Sequence, residues 1–114
     1  MITITVNSPW YELLKSGEKQ YEGRRLTEKM KRLREGDLIQ IQHHMDRDQV
    51  YTMMIESLHI YPTFEHALSS LPLEKVLPIE DISISKGVEI YKQFVSIPTQ
   101  ERDGIIMLKL SYCL

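Results

Sequence analysis

The sequence predicts an α+β domain, and three observations predict it. Stretches of period-2 hydrophobicity stand at the start of the chain and in its middle and a further strand-like stretch at its end, stretches of helical period lie between them, and the two kinds do not alternate regularly as a strand–helix–strand fold would require. The length of 114 residues is that of one domain, residues 1–114. Residues of the hydrophobic set make up 42% and charged residues 26%, which excludes a disordered or fibrous chain.

In order along the chain, Ile2, Ile4 and Val6 alternate with Thr3 and Thr5, the pattern of a strand with one buried face. Ser8 is expected to cap, and Pro9 to start, a short helix in which Trp10, Leu13 and Leu14 share a face and which Gly17 stops. Lys19 to Leu26 reads as a second strand. Thr27 then caps a brief basic helix with Met30 and Leu33 inward, and Glu35-Gly36-Asp37 is a turn. Leu38 to His44 and Val50 to Ile60 form a hairpin across the polar Met45–Asp48 connection. Thr63 caps a helix carrying Phe64, Ala67, Leu68 and Leu71 at one-face spacing, and Pro72 ends it. Leu73 to Leu77 reads as a further helical turn. Ile84, Val88, Tyr91 and Val95 mark another amphipathic helix, and a polar Thr99–Asp103 connection leads to a last strand from Gly104 to Tyr112. Met45, Met53 and Met54 read as core filling.

Charge and cysteine content narrow the function classes. The net charge is −2, yet Lys15 to Glu35 holds eight basic against four acidic residues, a local +4 that leaves −6 for the rest. Such polarity can turn a basic face towards phosphates, or towards an acidic protein partner, while other surfaces repel them. The single cysteine, Cys113, cannot form an internal disulfide and reads as an inert strand thiol. No leader and no apolar stretch approaching 20 residues is present, so a cytoplasmic, reducing location without membrane contact is expected. His43 and His44 face opposite ways on a strand, and His59 and His66 lack partners at ligand spacing, so no metal site is expected. No Gly-rich phosphate loop or nucleophile elbow occurs, and no cofactor is expected.

The densest chemical signal is Gly17-Glu18-Lys19-Gln20-Tyr21-Glu22-Gly23-Arg24. Glu22 and Arg24 leave an extended strand on the same face, where they meet a ligand or neutralise each other. Lys19 has the opposite parity and joins them only if the chain bends, which Gly17 and Gly23 permit. A lysine shielded from water beside a carboxylate can exchange protons near neutral pH; the alternative is a plain surface ion pair. Arg24 offers a fork suited to phosphate and Arg25 adds attraction, while Tyr21, Trp10 or Tyr91 could stack on a base. Trp10 and Tyr91 also fit core stripes.

The pattern G-x-K-x-x-E-x-R, after a short helix with Trp10 and before Arg34-Glu35-Gly36-Asp37 and an Ile-rich strand, resembles the ASCH domain family of the PUA-like superfamily. Tyr61-Pro-Thr-Phe before a helix, the Pro72–Pro78 segment, Tyr91 near a helix end and a Gly104-led strand with Lys109 extend the resemblance over nearly the whole chain. The resemblance implies a small, partly open β-barrel with helices packed at its mouth, and a cleft that binds RNA or a nucleotide-like ligand through Lys19, Glu22 and Arg24, with Tyr91 nearby. Some members of the family hydrolyse N4-acetylcytidine with a Lys, a Thr three residues later and a distant Glu. Here the position three after Lys19 is Glu22, and Glu80, Asp81 and Glu89 lie in the region of the distant acid. Binding is therefore the leading expectation. A hydrolase of a modified nucleoside or of RNA, with Lys19 and Glu22 as its acid/base pair, and a protein-interaction module using the basic face are the alternatives.

Overall fold

The computed structural model describes residues 1–112. Its elements run β1 (Ile2–Val6), α1 (Trp10–Ser16), β2 (Tyr21–Arg25), α2 (Glu28–Lys31), β3 (Leu38–His43), β4 (Val50–Tyr61), α3 (Phe64–Ser70), α4 (Leu73–Val76), α5 (Ile84–Lys92), α6 (Ile97–Asp103) and β5 (Ile105–Ser111). The strands form one sheet in the order β1-β3-β4-β5-β2, with β1 parallel to β3 and every other pair antiparallel. The sheet curls into a half-barrel with helices packed around it. Its two edge strands, β1 and β2, face each other across the opening, where Arg24 on β2 donates to the Thr5 carbonyl on β1.

Two cores lie on opposite faces of this sheet. Ile4, Val6, Ile39, Ile41, Met53 and Ile55 fill the inner face together with Tyr11 and Leu14 of α1. The outer face of β5 packs Ile105 and Met107 against Phe64, Ala67, Leu68 and Tyr91 of the helices. β5 is thus covered on both sides, which explains its nearly unbroken apolar run, Ile105-Ile-Met-Leu108, in place of alternation. β4 spans twelve residues by way of a bulge between Ile55 and Ser57. The extra residue switches the inward parity from Met53 and Ile55 to Leu58, so one strand can follow the curl.

Several local expectations are corrected. Pro9, not Ser8, occupies the N-cap of α1, and the Ser8 hydroxyl donates instead to the Glu12 carboxylate at 2.8 Å. The buried stripe of α1 is Tyr11 and Leu14, with Trp10 and Leu13 half-buried. Gly17 ends the helix as expected, with φ +87° and its N–H on the Leu14 carbonyl. Thr27 and Thr63 cap α2 and α3 through Met30 N and His66 N. The Thr99–Asp103 connection belongs to a helix, α6, capped by Ser96 and lacking an apolar stripe. Its inward residue is Gln100, 1% exposed, which accepts from Phe64 N and donates to the Val95 carbonyl, each at 2.9 Å. Met45 is not core: it lies in the hairpin connection, 82% exposed, whereas Met53 is buried. The expectation for Cys113 falls outside the described residues. Among the described residues no helix is long and apolar enough to cross a membrane.

Candidate functional site

The register of β2 decides which side chains meet. Glu22 pairs with Leu108 and Arg24 with Ile106, both inner-face residues of β5, so Glu22 and Arg24 project to the inner face. Tyr21 and Gly23 pair with Lys109 and Met107 and project the other way. Tyr21 is consequently buried in the outer core with its ring 6.0 Å from that of His59; it does not line the cavity described below, which removes it as a stacking face for a ligand.

Lys19 reaches the same place without belonging to the strand. β2 begins at Tyr21, and the preceding chain is pinned between two helices: Lys19 N donates to the Leu13 carbonyl at 3.0 Å and Gln20 N to the Lys75 carbonyl at 2.8 Å. Strand parity therefore does not govern the lysine. Its side chain is 2% exposed, its Nζ donates to the Val76 carbonyl, and the ammonium lies 5.4 Å from the centre of the Trp10 ring. Burial lowers its pKa from about 10.5 to about 8; the Glu22 carboxylate opposes that shift and the Arg24 guanidinium adds to it.

Glu22 is buried and Arg24 half-buried, and they form an ion pair. Glu22 Oε2 accepts from Arg24 Nε at 3.2 Å and Nη2 at 3.0 Å, and Nη2 also donates to the Thr5 carbonyl. The arginine fork that the sequence offered to a phosphate is thus already engaged. Among the described residues, Nη1 of Arg24 and Oε1 of Glu22 have no hydrogen-bond partner. Lys29 treats the same edge in the same way, donating to the Thr3 carbonyl at 3.1 Å.

These groups line a cavity of about 560 Å³ between the β1 and β2 edges, to which α5 adds Ile90 and Tyr91. Lys19, Glu22, Arg24, Arg25 and Tyr91 all contribute to its walls. Arg25 sits at the exposed rim, paired with Asp103 at 3.0 Å. Tyr91 is buried, with its ring stacked on Phe64 at 4.0 Å between centroids and 6° between planes, so that one face is already covered. Its hydroxyl is buried without a hydrogen-bond partner, and burial raises its pKa. Gly23 makes this packing possible. A Cβ there would lie 2.7 Å from Phe64 Cε1, 2.9 Å from Met107 Sδ and 3.0 Å from Tyr91 Cε1.

Sequence reasoning missed two contributors. One is the outer edge of β1, whose carbonyls take part through backbone alone and leave no residue signature. The other is Phe94, which lines the cavity yet is 55% exposed. Its place off the Ile84, Val88, Tyr91, Val95 stripe was the signal that could have found it.

Residues 4–101 match the ASCH domain. The chain belongs to the ASCH domain family. Among solved structures, this ASCH chain is similar to the crystal structure of the hypothetical protein PH0355, with 25% identity, a TM-score of 0.81 and coverage of 96% of this chain and 95% of the other. It is also similar to the solution structure of protein PF0455 from Pyrococcus furiosus, at 23% identity, TM-score 0.72 and 96% and 94% coverage. A mutant ASCH protein from Zymomonas mobilis shares the fold at 15% identity, TM-score 0.65 and 95% and 66% coverage. No protein of curated function matches the chain.

Proposed function

We propose that this ASCH chain binds RNA or a nucleotide-like ligand in the cavity between β1 and β2. The observation that carries the reading is the convergence there of an unpartnered buried hydroxyl on Tyr91, the Glu22–Arg24 pair and the buried ammonium of Lys19. A volume of about 560 Å³ suits a small organic ligand, since such sites run from about 300 to 1,000 Å³. The free oxygen of Glu22 accepts from an amino-bearing base edge, Tyr91 supplies a donor or acceptor, and Arg25 and Lys29 at the rim attract phosphate. Family membership supports the same reading. The test is fluorescence anisotropy of labelled single-stranded RNA at several salt concentrations. The expected result is log K falling linearly with log salt for the wild type and a large loss in Arg24→Ala, which leaves Glu22 buried and unpaired. Failure of the wild type to bind any RNA or nucleotide at low salt would refute it.

One observation favours a hydrolytic version of the same site. With a pKa near 8, on the order of a tenth of Lys19 is neutral at pH 7. A neutral amine can take a proton from water as it attacks an amide carbonyl on a nucleobase, or from a ribose 2′-hydroxyl, and return it to the leaving group. In this version Lys19 is the proton carrier, and Glu22, committed to Arg24, positions the base or assists as its acid/base partner. Turnover abolished by Lys19→Ala with binding only modestly weakened would establish it; equal losses, with no turnover by the wild type, would remove it.

A further inference from the structure

We propose that Phe94 is a stacking platform for a second nucleobase, so that the ligand of this cavity is a run of single-stranded RNA rather than a free nucleotide. The inference rests on the nucleotide-binding reading above. Four aromatic rings line the cavity: Trp10, Phe64, Tyr91 and Phe94. Phe64 and Tyr91 are buried and stacked on each other, and Trp10 is half-buried with the Lys19 ammonium over its ring. Phe94 alone of the four is mostly exposed, at 55%.

Its position follows from the helix end. Phe94 N donates to the Tyr91 carbonyl at 2.9 Å, so the last turn of α5 continues to residue 94 and stations the phenyl ring one turn beyond the inward-facing Tyr91. The cavity therefore has an unpartnered tyrosine hydroxyl in its wall and an open aromatic face at its mouth on the same helical stretch. Cations share the lining: Arg25 and Lys29 are both exposed and both line the cavity. Arg25 shares its charge with Asp103, and Lys29 keeps its ammonium outward while donating to the Thr3 carbonyl. An exposed aromatic ring and exposed cations lining one pocket match how single-stranded nucleic acids are held, with bases on rings and phosphates on cations. With one base seated beside the buried Tyr91 hydroxyl, the exposed Phe94 ring is left for a neighbouring base. A strand with one base inside must pass its neighbour across the mouth.

The test compares the four nucleoside 5′-monophosphates with the four RNA homohexamers, as competitors of a labelled hexamer, on the wild type, Phe94→Ala, Phe94→Trp and Arg24→Ala. The expected result is tighter binding of the best hexamer than of its monophosphate by the wild type. Phe94→Ala should lose about tenfold on the hexamer, in line with one lost base stack, and several-fold less than that on the monophosphate. Phe94→Trp should keep the wild-type preference. Equal affinity for hexamer and monophosphate in the wild type, or equal losses on both in Phe94→Ala, would overturn the proposal while leaving the cavity assignment intact if Arg24→Ala still abolishes monophosphate binding. No nucleotide binding of any kind would bring down both. Equal binding of polyglutamate and RNA would mark the mouth as a general polyanion surface and also overturn it.

Discussion

Replacing Lys19 by methionine probes the interior of the cavity most directly. Methionine fills a similar unbranched volume and removes the charge. A pKa near 8 in the folded protein, against 10.5 in the unfolded chain, means that folding with a protonated Lys19 costs about 3 kcal/mol, at about 1.4 kcal/mol for each tenfold in proton affinity. The pKa is lowered on folding, so between these values the unfolded chain binds more protons, and stability rises with pH. Integrated from pH 7 to 9.5, the wild type gains about 2 kcal/mol from this group. Lys19→Met cannot. The variant also leaves the Val76 carbonyl without its partner, which costs about 1–3 kcal/mol, but that cost is the same at every pH. The quantity to measure is therefore the difference in unfolding free energy between the two proteins, by urea denaturation followed by circular dichroism, at half-unit steps over this range. Taking the difference cancels tyrosines and other lysines that titrate in both. A wild-type advantage growing by about 2 kcal/mol towards pH 9.5 is expected. A difference that stays flat would show that the amine titrates as in water, and the desolvation argument would be wrong.

Two further substitutions separate stability from binding. Tyr91→Phe removes a buried hydroxyl with no partner, so it should leave thermal stability unchanged or raise it by about 1 kcal/mol while lowering nucleotide affinity about tenfold. A fall in melting temperature with unchanged affinity would show that the hydroxyl serves the fold. Gly23→Ala places a methyl within 2.7 Å of Phe64 and 3.0 Å of Tyr91 in a filled core and should destabilise by about 1–3 kcal/mol, read by denaturant titration. Unchanged stability would mean that these rings yield at no cost.

Where hydrophobic period dictates structure, the sequence was readable. β1, the β3–β4 hairpin, α3 and α5 each carry one apolar face that only one geometry can bury, and Thr27 and Thr63 sit where their side chains must cap. α6 was not readable, because its inward residue is Gln100, a polar side chain that enters the core only by satisfying Phe64 N and the Val95 carbonyl. The spacing of Glu22 and Arg24 placed them together. Lys19 joined them through a tertiary route, with its backbone held by Leu13 and its neighbour's by Lys75, which no local pattern encodes. The burial of Tyr21 has a physical cause as well. Parity puts Tyr21 opposite Glu22, but whether that side meets solvent or helices depends on α3 and α5, more than forty positions away.

The way the half-barrel finishes its edges bears on how the molecule behaves among its own copies. The Val6 carbonyl points inward to accept from His44 N, so alternation turns the Thr3 and Thr5 carbonyls outward, along the margin where a strand from another molecule would add. Lys29 and Arg24 already occupy both. An open sheet is ordinarily a template for edge-to-edge aggregation. Here the cations that furnish the cavity mouth also keep the β1 margin from recruiting a sixth strand, so Lys29→Ala should cost solubility before it costs the fold.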